Sequence, residues 1–273
     1  MRNFESFAVA ATLAVAVFGY YRYEHKLEID EPIEVYHSSI IAHAVGAAPD
    51  FGAIQNVQQK KQAFFDYLTP GIALENERVM NERIRLERIA KHFEQQKLTG
   101  EDRSYAKRLG KLYKHELPAQ GIDQSWLDDM LHRVNVLPPS LVLTQAANES
   151  AWGTSRFATQ GNNYFGQWCY VQGCGLVPLQ RGDGAKHEVA KFSSVQESIH
   201  RYFMNVNRNK AYFDLREIRY VRGENGQSLE DTNAALALTN GLLKYSERGE
   251  AYVKDLQAMI RHNDEYWTDN IIE

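Results

Sequence analysis

Apolar positions recur with helical spacing over most of the chain. Val57 to Leu68 reads as a helix that Thr69-Pro70-Gly71 breaks, after which Ile72, Val79, Leu86 and Phe93 recur every seven residues. That period through a charge-rich stretch predicts an amphipathic helix of about six turns, with its long charged face in solvent. A further helix is predicted over Glu101 to Leu117. Ser125 with Asp128 forms a capping-box pattern opening another at Trp126 to Val134. Pro138-Pro139-Ser140 reads as the start of the next helix and Gly153 as its stop, with a second short helix over Ala151 to Ala158. The texture then changes. Residues 161–191 are rich in Gly, Asn and aromatics, and Val177-Pro178-Leu179 and His187 to Phe192, with Gly182-Asp183-Gly184 between them, predict two short strands in a hairpin. Ser194 with Glu197 opens a helix through Tyr202 to about Asn207, and Ser228 with Asp231 opens an alanine- and leucine-rich one ending near Leu243. The last helix spans Glu250 to Arg261. The fold class is α+β, predominantly α: a helical body with a small β-hairpin lobe.

The N-terminus breaks the pattern. Phe7 to Tyr21 is an uncharged apolar run, preceded by Arg2 and followed by Arg22, His25 and Lys26. It is short against the ~20 residues of a spanning helix and fits an export signal, with Ala14-Val15-Ala16 resembling a cleavage site. Aromatic Phe18, Tyr20 and Tyr21 favour an uncleaved anchor instead. The expected organisation is a signal segment over 1–22, a linker over 23–53, a helical extension over 54–137, a main domain over 138–263 and a tail over 264–273. A location in the cell envelope, periplasmic and held at the inner membrane by residues 7–21, follows. Cys169 and Cys174 support export, since two closely spaced cysteines in an exported chain read as a short-loop disulfide. They are too few for a metal site. No zinc-ligand pattern or phosphate-binding glycine loop occurs, so neither metal nor cofactor is expected. A net charge of −4 gives no global attraction to nucleic acid.

Glu149 carries the most chemistry. On helical spacing it shares a face with Val142, Ala146 and Trp152, and a carboxylate at the end of an apolar stripe incurs a desolvation cost that raises its pKa. That suits a general acid working near neutral pH. The alternative is a helical Glu turning into solvent, although the helix dipole disfavours negative charge at a C-terminal turn. Around it in type stand Asn162-Asn163-Tyr164-Phe165-Gly166-Gln167-Trp168, the hairpin acids Asp183 and Glu188, and Gly241 to Ser246 with Tyr245. Aromatic planes and amides together suit a sugar, whose pyranose faces stack while its hydroxyl and acetamido groups hydrogen-bond. With 15 Tyr, 12 Phe and 4 Trp, most aromatics are core. Tyr164, Trp168 and Tyr245 are the favoured exceptions.

The segments ANESAWGTSRFA, NNYFGQWC, Cys174 to Phe192 and GLLKYSERGEAYV resemble the bacterial Bax family, exported relatives of the glycoside hydrolase family 73 glucosaminidases. The resemblance runs from about Pro138 to Met259, with the preceding helical part similar as far up as Val57. It implies a lysozyme-like fold, a peptidoglycan substrate and cleavage of a β-1,4 bond after N-acetylglucosamine. Glu149 stands at the family's catalytic acid and Tyr245 at a tyrosine that lines the cleft and assists catalysis. Trp152, Asn163, Tyr164, Phe165 and Trp168 are the candidate substrate-binding residues, on their aromatic and amide character. The chain departs from the pattern where relatives carry a second acid early in the hairpin and it reads Leu179-Gln180-Arg181. Glu188 and Asp183 are the nearby candidates, and Glu188 is equally readable as a solvated strand residue paired with Lys186 or Lys191. A separation of about 6.5–9.5 Å from Glu149 implies inversion and about 5–5.5 Å retention. If neither acid reaches, the substrate's acetamido group serves. The rival readings are a lytic transglycosylase cutting after N-acetylmuramic acid and a non-catalytic wall-binding scaffold.

Overall fold

The computed structural model describes residues 45–179 and 187–268. They belong to one compact unit, Ala44–Glu273. The apolar run at 7–21, most of the expected linker, and Gln180 to Lys186 with Asp183 lie outside the described residues. Among those described, no helix is long and apolar enough to cross a membrane.

The first helix, α1, runs unbroken over Val57–Glu94, with Pro70 inside it. The expected break does not occur. An interior proline costs about 3 kcal/mol, yet Phe64, Phe65, Leu68 and Ile72 are all fully buried around it, each contributing about 1.5–3 kcal/mol. Thr69 Oγ1 donates to the Phe65 carbonyl at 2.7 Å, occupying one of the acceptors in the disturbed turn. Gly71 has another reason to be there: a Cβ on it would lie 2.5 Å from Gln196 Oε1, so it marks a close helix contact. Ile72, Val79 and Leu86 are buried as their seven-residue spacing requires. The charged face is not all in solvent. Glu75, Asn76 and Glu82 are buried, and Arg78 donates to Glu75 at 2.9 Å and Glu82 at 2.7 Å. Tyr113 Oη closes the network on Glu82 at 2.6 Å.

Helix α2 spans Gly100–Leu112 under a Thr99–Asp102 capping box. It stops short of Leu117, because Lys114 turns into the left-handed region at φ 53°. Helix α3 covers Gln124–Arg133 and is capped by Asp123, not Ser125. Helix α4 is Pro139–Ser150, with Pro139 at its first turn. Ala151, Trp152 and Gly153 then take φ of 51°, 58° and 77°, so the short helix expected from Ala151 begins only at Arg156, as α5, Arg156–Gly161, capped by Ser155.

The lobe has three strands rather than a two-stranded hairpin. They are β1 (Trp168–Cys169), β2 (Gly175–Leu176) and β3 (Glu188–Ala190), in the order β1-β3-β2. Both pairings are antiparallel, with Cys169 opposite Glu188 and Leu176 opposite Val189. A Cys169–Cys174 disulfide with a Cα separation of 6.2 Å closes the β1–β2 loop.

Helix α6, Val195–Arg208, starts at Ser194 as expected. The helix that follows, α7 over Phe213–Glu224, has no expected counterpart. Its inward positions include Arg216 and Arg219, 2% and 0% exposed, and arginines at core positions erase an apolar stripe. Arg219 reaches the end of α3, donating to the carbonyls of His132, Arg133, Asn135 and Val136 and to Asn207 Oδ1 at 2.8–3.2 Å. It serves as a cationic C-cap for a neighbouring helix. Helix α8, Thr232–Leu238, is capped by Asp231, while Ser228 forms only the turn before it. A 3-10 turn over Thr239–Leu242 leads towards α9, Glu250–His262, and a last short helix α10, Glu265–Thr268.

Helix α1 packs on α3, α4 and α6, and α4 is enclosed further by α8 and α9. One apolar cluster includes Phe64 and Leu86 together with Leu141, Phe203 and Leu256, so the core crosses residue 138 without interruption. Phe51, within the expected linker, is 2% exposed and packs edge-on to Phe64. The tail returns to the same place, with Tyr266 and Trp267 against Phe65.

Replacing Arg219 by Met would remove a donor from the carbonyls of His132, Arg133, Asn135 and Val136, at and just past the end of α3. A loss of about 3–5 kcal/mol is expected, read from urea unfolding with circular dichroism. A loss below about 1 kcal/mol would show that the guanidinium does not hold the end of α3.

Candidate active site

The site is assembled from the end of α4, the loop between α5 and β1, the face of α6 and the start of α9. Its cleft of about 1270 Å³ is lined by Glu149, Phe165, Gly166, Gln167, Trp168, Tyr212 and Tyr245 among others. Helix α4 puts Glu149 there because it is buried almost throughout: every residue from Ser140 to Ala147 is buried, and only the last turn meets the cleft. The chain cannot continue as a helix without driving Trp152 outward. The left-handed run at 151–153 turns it back, and its ring packs edge-on against Phe64 and Phe65 at 5.6 and 5.4 Å. Trp152 therefore does not share a face with Glu149 and does not line the cleft. It anchors the end of α4.

Burial raises the Glu149 pKa, opposed by hydrogen bonds from Tyr252 and Asn148. Both donors meet the same oxygen. Tyr252 Oη lies 2.9 Å and Asn148 Nδ2 3.2 Å from Oε1. The Tyr252 proton has no other place to go. Tyr202 Oη donates to Gln145 Oε1 at 2.6 Å, which turns the Gln145 amide nitrogen towards Tyr252 Oη at 2.9 Å. With the tyrosine oxygen already accepting, its one hydrogen points at Glu149. Oε1 is thus an acceptor, and the proton of the neutral acid rests on Oε2. That oxygen faces Gly166, where a Cβ would come within 3.0 Å and where φ is 62°. Glycine at 166 keeps the proton-bearing oxygen uncovered and permits the turn that passes it.

The phenols stay neutral donors. Desolvation raises Tyr252, and it holds Tyr202 and Tyr245 well above the ordinary tyrosine value, with the neighbouring phenols and Glu149 adding to it. Tyr245 donates from Oη to the Phe165 carbonyl at 2.8 Å and stacks on Tyr252 at 5.7 Å. It therefore fixes the loop opposite Glu149 as well as lining the cleft. Phe165 stacks on Tyr202 at 4.3 Å.

The remaining expected residues divide. Trp168 is 51% exposed in the cleft and packs against His187 at 3.9 Å. Asn163 and Tyr164 are each 1% exposed and off the cleft. Asn163 bonds the carbonyls of Gln167 and Ala190, and its Oδ1 accepts from the Phe165 and Gln167 amides. It shapes the loop, leaving no free amide for a sugar. Glu188 is neither a cleft residue nor a solvated one. It is 5% exposed and absent from the cleft lining. Its Oε1 accepts from the Gly173 amide at 3.0 Å and its Oε2 from the Gly175 amide at 2.8 Å. A carboxylate spent on holding the disulfide loop neither faces Glu149 nor sits in solvent. Cys169, Cys174 and Glu188 lie close together, but both sulfurs are consumed by the disulfide and form no metal site.

This geometry can be set beside known proteins. The sequence profile of the glucosaminidase family, described as mannosyl-glycoprotein endo-beta-N-acetylglucosaminidase, matches residues 125–265. The chain is also 33% identical over 215 residues to Protein bax of Escherichia coli (strain K12), covering 79% of this chain and 74% of that protein. The chain belongs to the Bax family of glucosaminidase-domain proteins. No solved structure matches it. The glucosaminidase match begins inside α3 and ends at α10, so it takes in Glu149, Gln145, Tyr202, Tyr245 and Tyr252 together. Family membership supports a glycosidase acting on peptidoglycan-type glycan.

Gln145, Tyr202 and Tyr252 are the functional residues that sequence reasoning passed over. Gln145 carried a usable signal, being a second polar residue four before Glu149 on the same buried face. Removing the Tyr252 hydroxyl, as Tyr252→Phe, takes away a donor that stabilises the carboxylate. The Glu149 pKa should then rise further, measured by carbon-13 titration of the side-chain carboxyl. An unchanged or lower value would refute the assigned direction of this hydrogen bond.

Proposed function

We propose that the protein is a peptidoglycan hydrolase that cleaves the β-1,4 glycosidic bond after N-acetylglucosamine, with Glu149 as general acid. The observation that carries this reading is the asymmetry of the Glu149 carboxyl, one oxygen bound to Tyr252 and the other bare beside Gly166 in the cleft. The Oε2 proton passes to the glycosidic oxygen as the bond to the anomeric carbon breaks. Glu188 is committed elsewhere and Asp183 lies outside the described residues; in this reading the substrate's own acetamido oxygen attacks that carbon and a water then opens the cyclic intermediate, returning a proton to Glu149. Trp168 and Tyr245 hold the sugars. An anchor in the cell envelope at residues 7–21 places the cleft near its polymer.

Glu149→Gln should lower lysis of purified cell wall by about 10²–10⁴-fold while leaving the glycan bound. Products of the native protein should carry reducing N-acetylglucosamine ends with the β anomer released first. Anhydro-muramic ends in the mass spectrum would replace this reading with a transglycosylase, and undiminished lysis by the Gln variant would remove Glu149 from the chemistry.

The same variant has a stability signature. Unfolded, Glu149 loses its proton near 4.5, and in the native state it does so at higher pH. Between the two values the native state holds more protons, so this residue's contribution to stability falls as pH rises. Glu149→Gln should be more stable than the native protein at pH 7, with the gap closing below about pH 4. Thermal melts at both pH values test this, and a constant gap would contradict it.

A further inference from the structure

The chain is net acidic at −4, yet six lysines and arginines line the cleft against three carboxylates, one of them the Glu149 acid. Three of these cations gather on one side. Arg201 and Arg208 are seven residues apart on α6 and share its cleft face, and Arg208 Nη1 is held by the Leu112 carbonyl at 3.1 Å, at the end of α2. Lys114 follows two residues later, exposed and at φ 53°. That helix-terminal left-handed position normally takes glycine or asparagine, so a lysine there is held at a cost in backbone strain.

These charges are poorly neutralised. Burial lowers the Arg208 pKa and the charge of Arg201 lowers it further. Arg201 has Glu197 at 3.6 Å, but Glu197 is already bound by the Ser193 amide and hydroxyl at 2.9 and 2.6 Å. Lys114 has no ion pair among the described residues. The cluster also lies next to the chemistry. Asn205, on the same face of α6, lines one cleft with Tyr212, Glu149 and the three cations.

We propose that Lys114, Arg201 and Arg208 form an anion subsite beside Glu149 that receives a carboxylate pendant on the glycan. This rests on the peptidoglycan reading, because a β-1,4 N-acetylhexosamine polymer without a lactyl ether or attached peptide has no carboxylate to offer. The pendant group is either the lactyl carboxylate of a bare strand or the free carboxylates of the attached peptide. The subsite makes the cleft select decorated, anionic strands over neutral ones. Its cations set binding and register, leaving the proton transfer to Glu149.

The experiment uses Glu149→Gln protein, which separates binding from turnover, and calorimetry with four probes. These are peptide-bearing glycan fragments, the same fragments with their carboxylates amidated, amidase-stripped strands, and neutral chito-oligosaccharides. Adding Lys114→Ala and Arg201→Ala together should weaken binding of the strand that carries the recognised carboxylate, peptide-bearing or stripped, about tenfold and abolish most of its salt dependence. Binding of amidated fragments and chito-oligosaccharides should stay within about twofold. Lys97→Ala, an exposed charge far along the chain from the cleft, should change nothing. A loss confined to stripped strands identifies the lactyl carboxylate, which peptide-bearing fragments hold as an amide, and a loss confined to peptide-bearing fragments identifies the peptide. Unchanged affinity of the double variant for both peptide-bearing fragments and stripped strands would overturn the subsite. So would an equal loss on neutral oligosaccharide, which would make these residues general sugar contacts. If the native protein lyses wall and the charge variants bind it as well as before, the hydrolase reading stands without the subsite. If the native protein neither binds nor cleaves any of the strands, both fall.

Discussion

The hydrogen bond from Tyr252 to Glu149 is where the fold and the proposed chemistry meet. A carboxyl group taken out of water must be neutral or compensated, and here it is half of each. Burial pushes the acid towards its protonated form, while one phenol and one amide bound to Oε1 keep the charged form accessible. Because both act on one oxygen, the other is left for substrate. The direction of the whole chain, Tyr202 to Gln145 to Tyr252 to Glu149, follows from hydrogen counting, and each member comes from a different part of the fold: Gln145 and Glu149 from α4, Tyr202 from α6, Tyr252 from α9. Those helices must be held within fractions of an ångström for the chain to stay connected.

That requirement explains much of the architecture around α4. Helix α1, far longer than a small domain needs, packs on α3, α4 and α6 and supplies Phe64 and Phe65, against which Trp152 is pinned. The left-handed turn at 151–153 is costly for alanine and tryptophan, and it persists because that aromatic cluster closes over it. The strain sits two residues from the proposed acid. The aromatic residues nearest Glu149 in sequence thus work as a buttress, and those that meet it in space arrive from α6 and α9.

The helical class, the position of α4 and the lobe were legible because they rest on local signals: proline at a helix start, glycine past its end, apolar periodicity, turn residues. Glu149 was legible for a related reason, since an acid on an apolar face is a local contradiction. The failures share a cause. Helix α7 hid because Arg216 and Arg219 occupy core positions, and a buried guanidinium satisfied by carbonyls looks, in sequence, like a surface residue. The same holds for Glu75 and Glu82 on α1. Asn163 and Glu188 misled in the opposite way: their residue types suit a site, but their polar atoms are consumed by backbone amides and carbonyls of a loop that needs them. Pro70 failed as a breaker because packing on both sides outweighs one lost hydrogen bond.

The placement of Glu188 bears on mechanism as well as on folding. Short strands of two or three residues supply few ladder bonds, and the lobe is held by the disulfide and by a carboxylate bridging the Gly173 and Gly175 amides. Withdrawing Glu188 for catalysis would release the loop that carries Cys174, so the residue cannot serve both purposes. With Glu188 so committed, the proposed nucleophile is the acetamido group of the bound sugar, which is already within the molecule being cut. The protein's part is then to hold that sugar against a proton donor. An acid with one oxygen locked and one bare, facing aromatic planes and a bank of cations, is built for holding and donating.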